Sequence, residues 1–345
     1  WAKETKPQLR NFSRWADEYA NAPPAERAQL KQKGVELAQA RRETMAQLIS
    51  SNPEQALALA IPARVRDKLP EDVQLLLEQH ISGVGDLDVY GVTPGPNVDQ
   101  LLSSIIRRAS INGKSYQATL QGPLASVGSK NSVHFEGVEI DGQAALTGTL
   151  SKTHGTTTAA PPGITASTAI NRAYHSLGTD KKLLVVQVDF PDLVGPEITR
   201  DDLEGRLDIV NNYYRTVSQG LFAFEKITVV PQVLRLPQTA KYYAQDNYDE
   251  LWEHAMAAAK ALGAEYDSDQ YEFAGVSFKE VYGGWAGLAN LGAKRFWLDG
   301  YWGADPRVIA HEIGHNLGLL HAAGWDSASG SQADDPDGQH VEYGN

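Results

Sequence analysis

Residues 304–321 read ADPRVIAHEIGHNLGLLH, and this stretch decides how the last part of the chain folds. Asp305 followed by Pro306 is a typical N-cap and first-turn pair of a helix. Apolar residues then recur at helical spacing, namely Val308, Ile309, Ile313 and Leu317. We therefore predict a helix that begins at Pro306 and carries His311 and His315 on one side.

The spacing of these two histidines predicts that they can bind one metal ion. Four residues advance a helix by about 400°, so the imidazoles stand about 40° apart and about 6 Å along the axis. Glu312 lies about 100° from His311, beside the pair, where its carboxylate can reach a water on the ion. The pattern HExxH therefore indicates two metal ligands and a general base, although two surface histidines would give the same letters.

His321 extends the pattern to a third ligand. It follows His315 by six residues, and a continued helix would rotate it by about 600°, onto the wrong side. The helix must therefore end between them, and Gly318 is the residue that can adopt a positive φ and turn the chain back. Because the chain contains no cysteine, a transition metal can only be held by histidine and carboxylate groups.

These five fixed residues, His311, Glu312, His315, Gly318 and His321, resemble the signature of the metzincin metallopeptidases. The segment HEIGHNLGLLHA, the preceding WAGLANLGAKRFWLDG and the late VEYGN are most similar to the gametolysin-like family, and the immune-inhibitor-A-like enzymes are the second choice. The resemblance implies a zinc endopeptidase that acts on protein or peptide substrates, with the three histidines on Zn²⁺ and Glu312 as the catalytic base. It also implies an N-terminal pro-domain and a secreted, extracellular or periplasmic location.

Metzincins also carry a Met-turn after the third histidine. The two methionines of this chain, Met45 and Met256, both precede the motif. We therefore expect the chain to end before that turn, and a departure from the family's pattern is the open alternative.

The remaining sequence predicts an α+β fold in four parts. Residues 1–79 are rich in helix formers and are expected to be the helical part of the pro-domain, and residues 80–150 a small antiparallel β module. Residues 151–170 have the composition of a linker. In residues 171–345, apolar strands alternate with helices, which predicts an α/β zincin-type catalytic domain with a twisted sheet and an active-site helix.

The stretch GGWAGLANLG, just before the motif, predicts a strand edge on which an extended substrate can lie. Gly284, Trp285 and Ala286 are the candidate substrate-binding residues. A core position for Trp285 is the open alternative.

The sequence leaves open how the predicted peptidase would be kept inactive and whether the protein is an enzyme at all. The predicted pro-domain would cover the cleft, but without a cysteine either another donor, such as Asp86, Asp88 or His154, or steric blocking must close it. The alternative class is a catalytically silent, zinc-stabilised binding protein whose β module binds a protein or a carbohydrate.

The charge balance excludes some partners. The formal net charge is −12, and most of the acidic excess lies in the second half of the chain. A surface for nucleic acid or anionic membranes needs the opposite sign, so we expect neither partner. The run ADDPDG at 333–338 offers carboxylates of the kind that Ca²⁺ prefers, and a solvated loop is the alternative.

Overall fold

The computed structural model describes residues 6–95, 105–121, 129–150, 178–321, 323–326 and 339–342. The chain divides into two compact units, the first formed by residues 1–88 and 107–163 and the second by residues 89–106 and 164–345. Helices and strands both contribute throughout, which confirms the predicted α+β class. Within the described ranges, no helix is long and apolar enough to span a membrane.

The first unit begins with helices, as its composition predicts. They are α1 (Pro7–Asn21), α2 (Pro24–Ser51), α3 (Pro53–Leu59), α4 (Ala63–Arg66) and α5 (Glu71–Gln74). Proline begins each of the first three, where its fixed φ suits the first turn. Helices α1 and α2 pack closely because Gly34 leaves room for the ring of Trp15, which buries all but 2% of its surface.

One buried ion pair fixes the end of this helical part. Arg41 on α2 and Glu78 just before the first strand are both fully buried, with 2.5 Å between Nη2 and Oε1. Arg41 also donates to the carbonyl of Leu59 at 2.8 Å, and the Glu78 carboxylate accepts from the backbone N–H of Ile61 at 2.8 Å. The pair therefore ties α2 to the chain that leads into the sheet.

Five strands follow, in the order β2-β3-β5-β4-β1. They are β1 (Gln79–Pro94), β2 (Ile105–Ile111), β3 (Lys114–Gln121), β4 (Ser129–Ile140) and β5 (Gln143–Leu150). The predicted tight turns join β2 to β3 and β4 to β5, with positive φ at both residues of Asn112-Gly113 and of Asp141-Gly142. The strand β2 also pairs with β1, which closes the five strands into a ring.

The prediction of a purely antiparallel module is wrong at one pairing. Strands β3 and β5 are parallel, with Gln117 opposite Gln143 and Leu120 opposite Leu146. Because β4 occupies one edge of β5 through their shared turn, β3 takes the other edge and runs in the same direction as β5. Turn residues indicate that two strands adjacent in the sequence pair with each other. They carry no information on which strand pairs with the other edge of β5.

The second unit contains the last six residues of β1 and an alternation of strands and helices. The elements are β6 (Gly178–Asp189), α6 (Arg200–Val217), β7 (Phe222–Val229), β8 (Leu234–Arg235), α7 (Ala240–Tyr243), α8 (Tyr248–Leu262), β9 (Phe273–Phe278), β10 (Trp285–Asn290), β11 (Arg295–Asp299), α9 (Gly300–Gly303), α10 (Pro306–Asn316), β12 (Ala323–Asp326) and β13 (Gln339–Glu342). The strands β12 and β13 form a separate antiparallel pair. Residues 89–106, which the sequence analysis places in the β module, are part of this unit because the end of β1 pairs with β10.

The main sheet of this unit has the order β10-β11-β9-β6-β7, parallel except at β10, which is antiparallel to β11. Helix α8 covers one face, where Leu184 and Val186 are buried, and α6 and α10 cover the other, where Leu183 and Val185 are buried. The residues predicted for the apolar side of α6 are all buried, namely Leu203, Leu207, Val210 and Tyr214. Helix α10 is thus pressed against the sheet close to β10 and β11.

Both methionines belong to hydrophobic cores. Met45 is fully buried in the first unit, and Met256 on α8 is 5% exposed in the second.

Candidate metal centre

Helix α10 begins where the sequence predicts. The Asp305 carboxylate accepts from the backbone N–H of Arg307 at 2.9 Å, and Pro306 occupies the first turn. Ile309 and Ile313 are fully buried against the sheet. This anchoring fixes the rotation of the helix and hence the direction of the histidines on its other side.

The helix ends in a Schellman turn. The N–H of Gly318 donates to the carbonyl of His315 at 2.8 Å, and the N–H of Leu319 donates to the carbonyl of Gly314 at 3.0 Å. Gly318 has φ +90°, and a Cβ there would meet nothing within 4 Å, so glycine is required by backbone conformation rather than by space. The turn reverses the chain and returns His321 towards the helix.

The three histidines converge. One ligand atom from each of His311, His315 and His321 lies within 4.8 Å of the others. The Nε2 atoms of His315 and His321 are 2.9 Å apart. A tetrahedral Zn²⁺ with bonds of 2.0–2.1 Å holds its nitrogen ligands about 3.3 Å from one another, so the donor set fits such an ion.

The rings are also in the protonation state that a metal needs. Burial, together with the neighbouring His315 ring, lowers the pKa of His311 to about 4, and burial with both neighbouring rings lowers the pKa of His321 to about 3. Burial lowers the pKa of His315 as well. Nδ1 of His315 lies 2.7 Å from the carbonyl of Leu319, to which it donates, so the lone pair is on Nε2, facing the other rings.

Glu312 lies beside the three rings in a dry environment. Its side chain is fully buried, and Oε1 accepts a hydrogen bond from the hydroxyl of Thr93. Oε2 is buried without a hydrogen-bond partner among the described residues. Burial raises the pKa of Glu312 well above its ordinary value, and the Thr93 hydrogen bond opposes that shift.

Residues 194–331 match the family model of gametolysin peptidase M11. This segment is similar to the gametolysin-like metallopeptidases. No curated protein and no solved structure matches it. The match spans α6 to the third histidine, so the family assignment and the histidine cluster refer to the same segment.

Two glycines line this gametolysin-like centre where backbones approach it. A Cβ at Gly287 on β10 would clash with Oε1 of Glu312, and a Cβ at Gly91 on β1 would clash with Nε2 of His315. Neither these two glycines nor Thr93 is predicted as a site residue from the sequence. Gly287 stands inside the quoted WAGLANLG stretch, but Gly91 and Thr93 lie more than 200 residues from the motif and give no local signal.

Buried polar groups hold α10 in place. The Asn316 amide donates to the carbonyls of Asn290 and Arg295 at 3.0 and 2.9 Å, which fastens the end of the helix to β10 and β11. The Tyr214 hydroxyl donates to the carbonyl of Ala310 at 2.6 Å, and burial raises its pKa, which keeps it a donor. The metal-facing residues are therefore carried on a fixed helix.

The three candidate substrate residues lie at the start of β10. The carbonyl of Gly284 accepts from the N–H of Gly95 at 3.4 Å, and Ala286 is buried. Trp285 is partly buried against the core and stacks on Tyr282 with 4.5 Å between ring centroids. Trp285 thus has core contacts, as the alternative interpretation expects, and its role towards substrate stays a prediction.

A buried carboxylate supports the loop before β10. Asp299, at the end of β11, is 3% exposed and accepts the N–H groups of Val281 and Tyr282 at 2.7 and 3.0 Å. Burial raises the pKa of Asp299 to about 7, with Glu280 as an acidic neighbour. Asp299 is not among the predicted site residues, although a carboxylate that ends an apolar strand immediately before a glycine is a signal that the sequence contains.

Several predicted features lie outside the described residues. These are the linker at 151–170, His154 and the acidic run at 333–338. Among the residues that the structure describes, the group able to hold a metal consists of the three histidines, and the role of Asp86 or Asp88 as a capping donor stays a prediction.

Proposed function

We propose that this chain is a zinc-dependent endopeptidase of the metzincin type, with Zn²⁺ on His311, His315 and His321 and Glu312 as the general base. The observation that carries the proposal is the convergence of three neutral imidazoles within 4.8 Å beside one fully buried carboxylate. Three protein ligands are typical of catalytic zinc sites, which keep a position open, whereas structural sites use four. The match of residues 194–331 to a peptidase family supports the same reaction class.

In this mechanism the protein side chains position groups and move one proton. Zinc, when bound, supplies Lewis-acid activation of water and of the scissile carbonyl. Glu312 takes the proton of the attacking water and delivers it to the leaving amine, for which a carboxylate with a raised pKa is well suited. The hydrogen bond from Nδ1 of His315 to the Leu319 carbonyl keeps Nε2 oriented as a ligand.

The test combines metal analysis with a protease assay. Glu312→Gln is expected to retain zinc and to lower the turnover of a quenched-fluorescence casein by about 10²- to 10⁴-fold, the range for a general base. Glu253→Gln, at an exposed position on α8, is the matched control and keeps wild-type turnover. Removal of zinc by a chelator abolishes turnover in both. These assays use protein cleaved within residues 151–177, and zinc retention without any turnover in the cleaved wild type would favour the silent binding protein instead.

We further propose that the chain is made as a zymogen, with residues 1–150 as an inhibitory pro-domain, and acts outside the cell or in the periplasm. The likeness to exported peptidases with pro-domains supports this. Cleavage within residues 151–177 should raise the turnover of casein, and cell fractionation should recover the protein outside the cytoplasm. An uncleaved chain as active as the cleaved one would argue for an accessory module.

A further inference from the structure

The outer edge of β10 is occupied by part of the same unit. Residues 90–95, which we call the resident strand, run antiparallel to β10. Tyr90 lies opposite Asn290, Val92 opposite Leu288, and Pro94 opposite Trp285. The register shifts between residues 93 and 94, where proline has no N–H to offer, and the pairing continues to Pro94.

The two faces of the resident strand have different surroundings. Tyr90 and Val92 are buried in the core beneath α8, and the Tyr90 hydroxyl donates to Asp249 at 2.8 Å. Gly91 and Thr93 alternate with them and face the metal centre. Gly91 abuts the His315 ring, and Thr93 donates its hydroxyl to Glu312.

The resident strand therefore meets both requirements of an inhibitor of this centre. It pairs with the strand edge that an extended substrate would need, and backbone pairing there admits one chain at a time. Its Thr93 hydroxyl also donates a hydrogen bond to Oε1 of Glu312, the oxygen that lies beside Gly287. A base whose carboxylate already accepts a hydroxyl proton is less available to the attacking water.

From this juxtaposition we propose that residues 90–95 keep the peptidase latent, with the Thr93 hydroxyl blocking the general base. The inference rests on the proposed function and adds its regulation. It needs no thiolate, which agrees with a chain that contains no cysteine. Because Tyr90 and Val92 are anchored in the core, full activation requires that the resident strand be released. Loss of the Thr93 hydroxyl removes only its hydrogen bond to Glu312 and therefore activates the uncut chain in part.

The first test uses the full zinc-loaded chain and the casein substrate. Thr93→Val keeps the shape of the side chain and removes the hydroxyl, and it should raise the turnover of the uncut protein about tenfold, the effect of losing a hydrogen bond to a charged group. Thr228→Val is the matched control, because its hydroxyl bonds to Tyr271 on another part of the same unit. The control should keep wild-type turnover.

The second test measures release of the resident strand by the hydrogen exchange of its partner strand, β10. Amides of residues 285–290 are followed by mass spectrometry before and after cleavage at a site-specific protease sequence placed within residues 151–177. Exchange at β10 should accelerate together with the rise in turnover. If turnover rises while these amides stay protected, the resident strand is a permanent part of the sheet and the inference is wrong.

The outcomes separate this inference from the function on which it rests. Turnover that is equal in wild type, Thr93→Val and cleaved protein, but abolished by Glu312→Gln, overturns the latency proposal and leaves the peptidase intact. Absence of turnover in every zinc-loaded form overturns the peptidase and the latency proposal with it.

Discussion

Replacement of Gly287 by alanine tests whether close contact between β10 and Glu312 sets the geometry of the centre. A Cβ there would lie 2.7 Å from Cδ and 2.8 Å from Cγ of Glu312, distances that real contacts do not show. Glu312 is fully buried, and Asn316 and Tyr214 fix the helix that carries it, so the side chain rather than the helix has to shift. We expect it to be displaced by about 1 Å, which costs about 10²-fold in rate.

The assay is kcat/KM on the casein substrate after proteolytic activation, with zinc content measured on the same samples. A loss of about 10²-fold corresponds to about 2.7 kcal/mol of transition-state stabilisation, and overpacking should add about 1–3 kcal/mol of destabilisation. Gly205→Ala, at an exposed position on α6, is the matched control, because a Cβ there would meet nothing within 4 Å. A Gly287→Ala protein with full zinc, wild-type stability and wild-type kcat/KM would refute the reasoning.

Two further predictions concern buried charges. Because burial raises the pKa of Asp299 to about 7, the folded chain holds a proton that the unfolded chain releases, so this residue's contribution to stability falls as pH rises from about 4 to about 7. A pKa raised by about three units corresponds to a loss of at most about 4 kcal/mol. The difference in unfolding free energy between wild type and Asp299→Asn, measured by urea denaturation, should therefore change over this pH range. A difference that stays constant with pH would contradict the prediction. Glu78→Gln should destabilise the first unit by about 3–5 kcal/mol because it leaves Arg41 buried and uncompensated. Asp141→Asn, which breaks an exposed pair with Arg42, should cost less than about 1 kcal/mol, and equal losses in the two variants would contradict the argument.

The parts of the site that could be predicted from the sequence obey local rules. The directions of His311 and His315 follow from 3.6 residues per turn, and the return of His321 follows from Gly318, which adopts a positive φ at the least cost. The buried side of α6 follows from the same periodicity. Each of these inferences needs no knowledge of residues more than a few turns away.

The parts that could not be predicted depend on pairing between distant segments. Gly91 and Thr93 reach the centre only because β1 pairs with β10, and no pattern within either strand specifies that partner. The parallel pairing of β3 with β5 could not be predicted for the same reason. Strand pairing over long sequence separations is decided by the shape and burial of whole faces, which alternation within one strand does not encode.

The compact span of the metal ligands has a consequence for how the centre forms. All three imidazoles lie within residues 311–321, and the turn that orients them is closed by hydrogen bonds of its own. Bringing His321 to the helix therefore closes a very short loop, for which the entropy cost is small. The spacing of the three ligands is therefore encoded within one short segment, whereas the strands before Pro306 decide how that segment is held and how closely other backbones approach it.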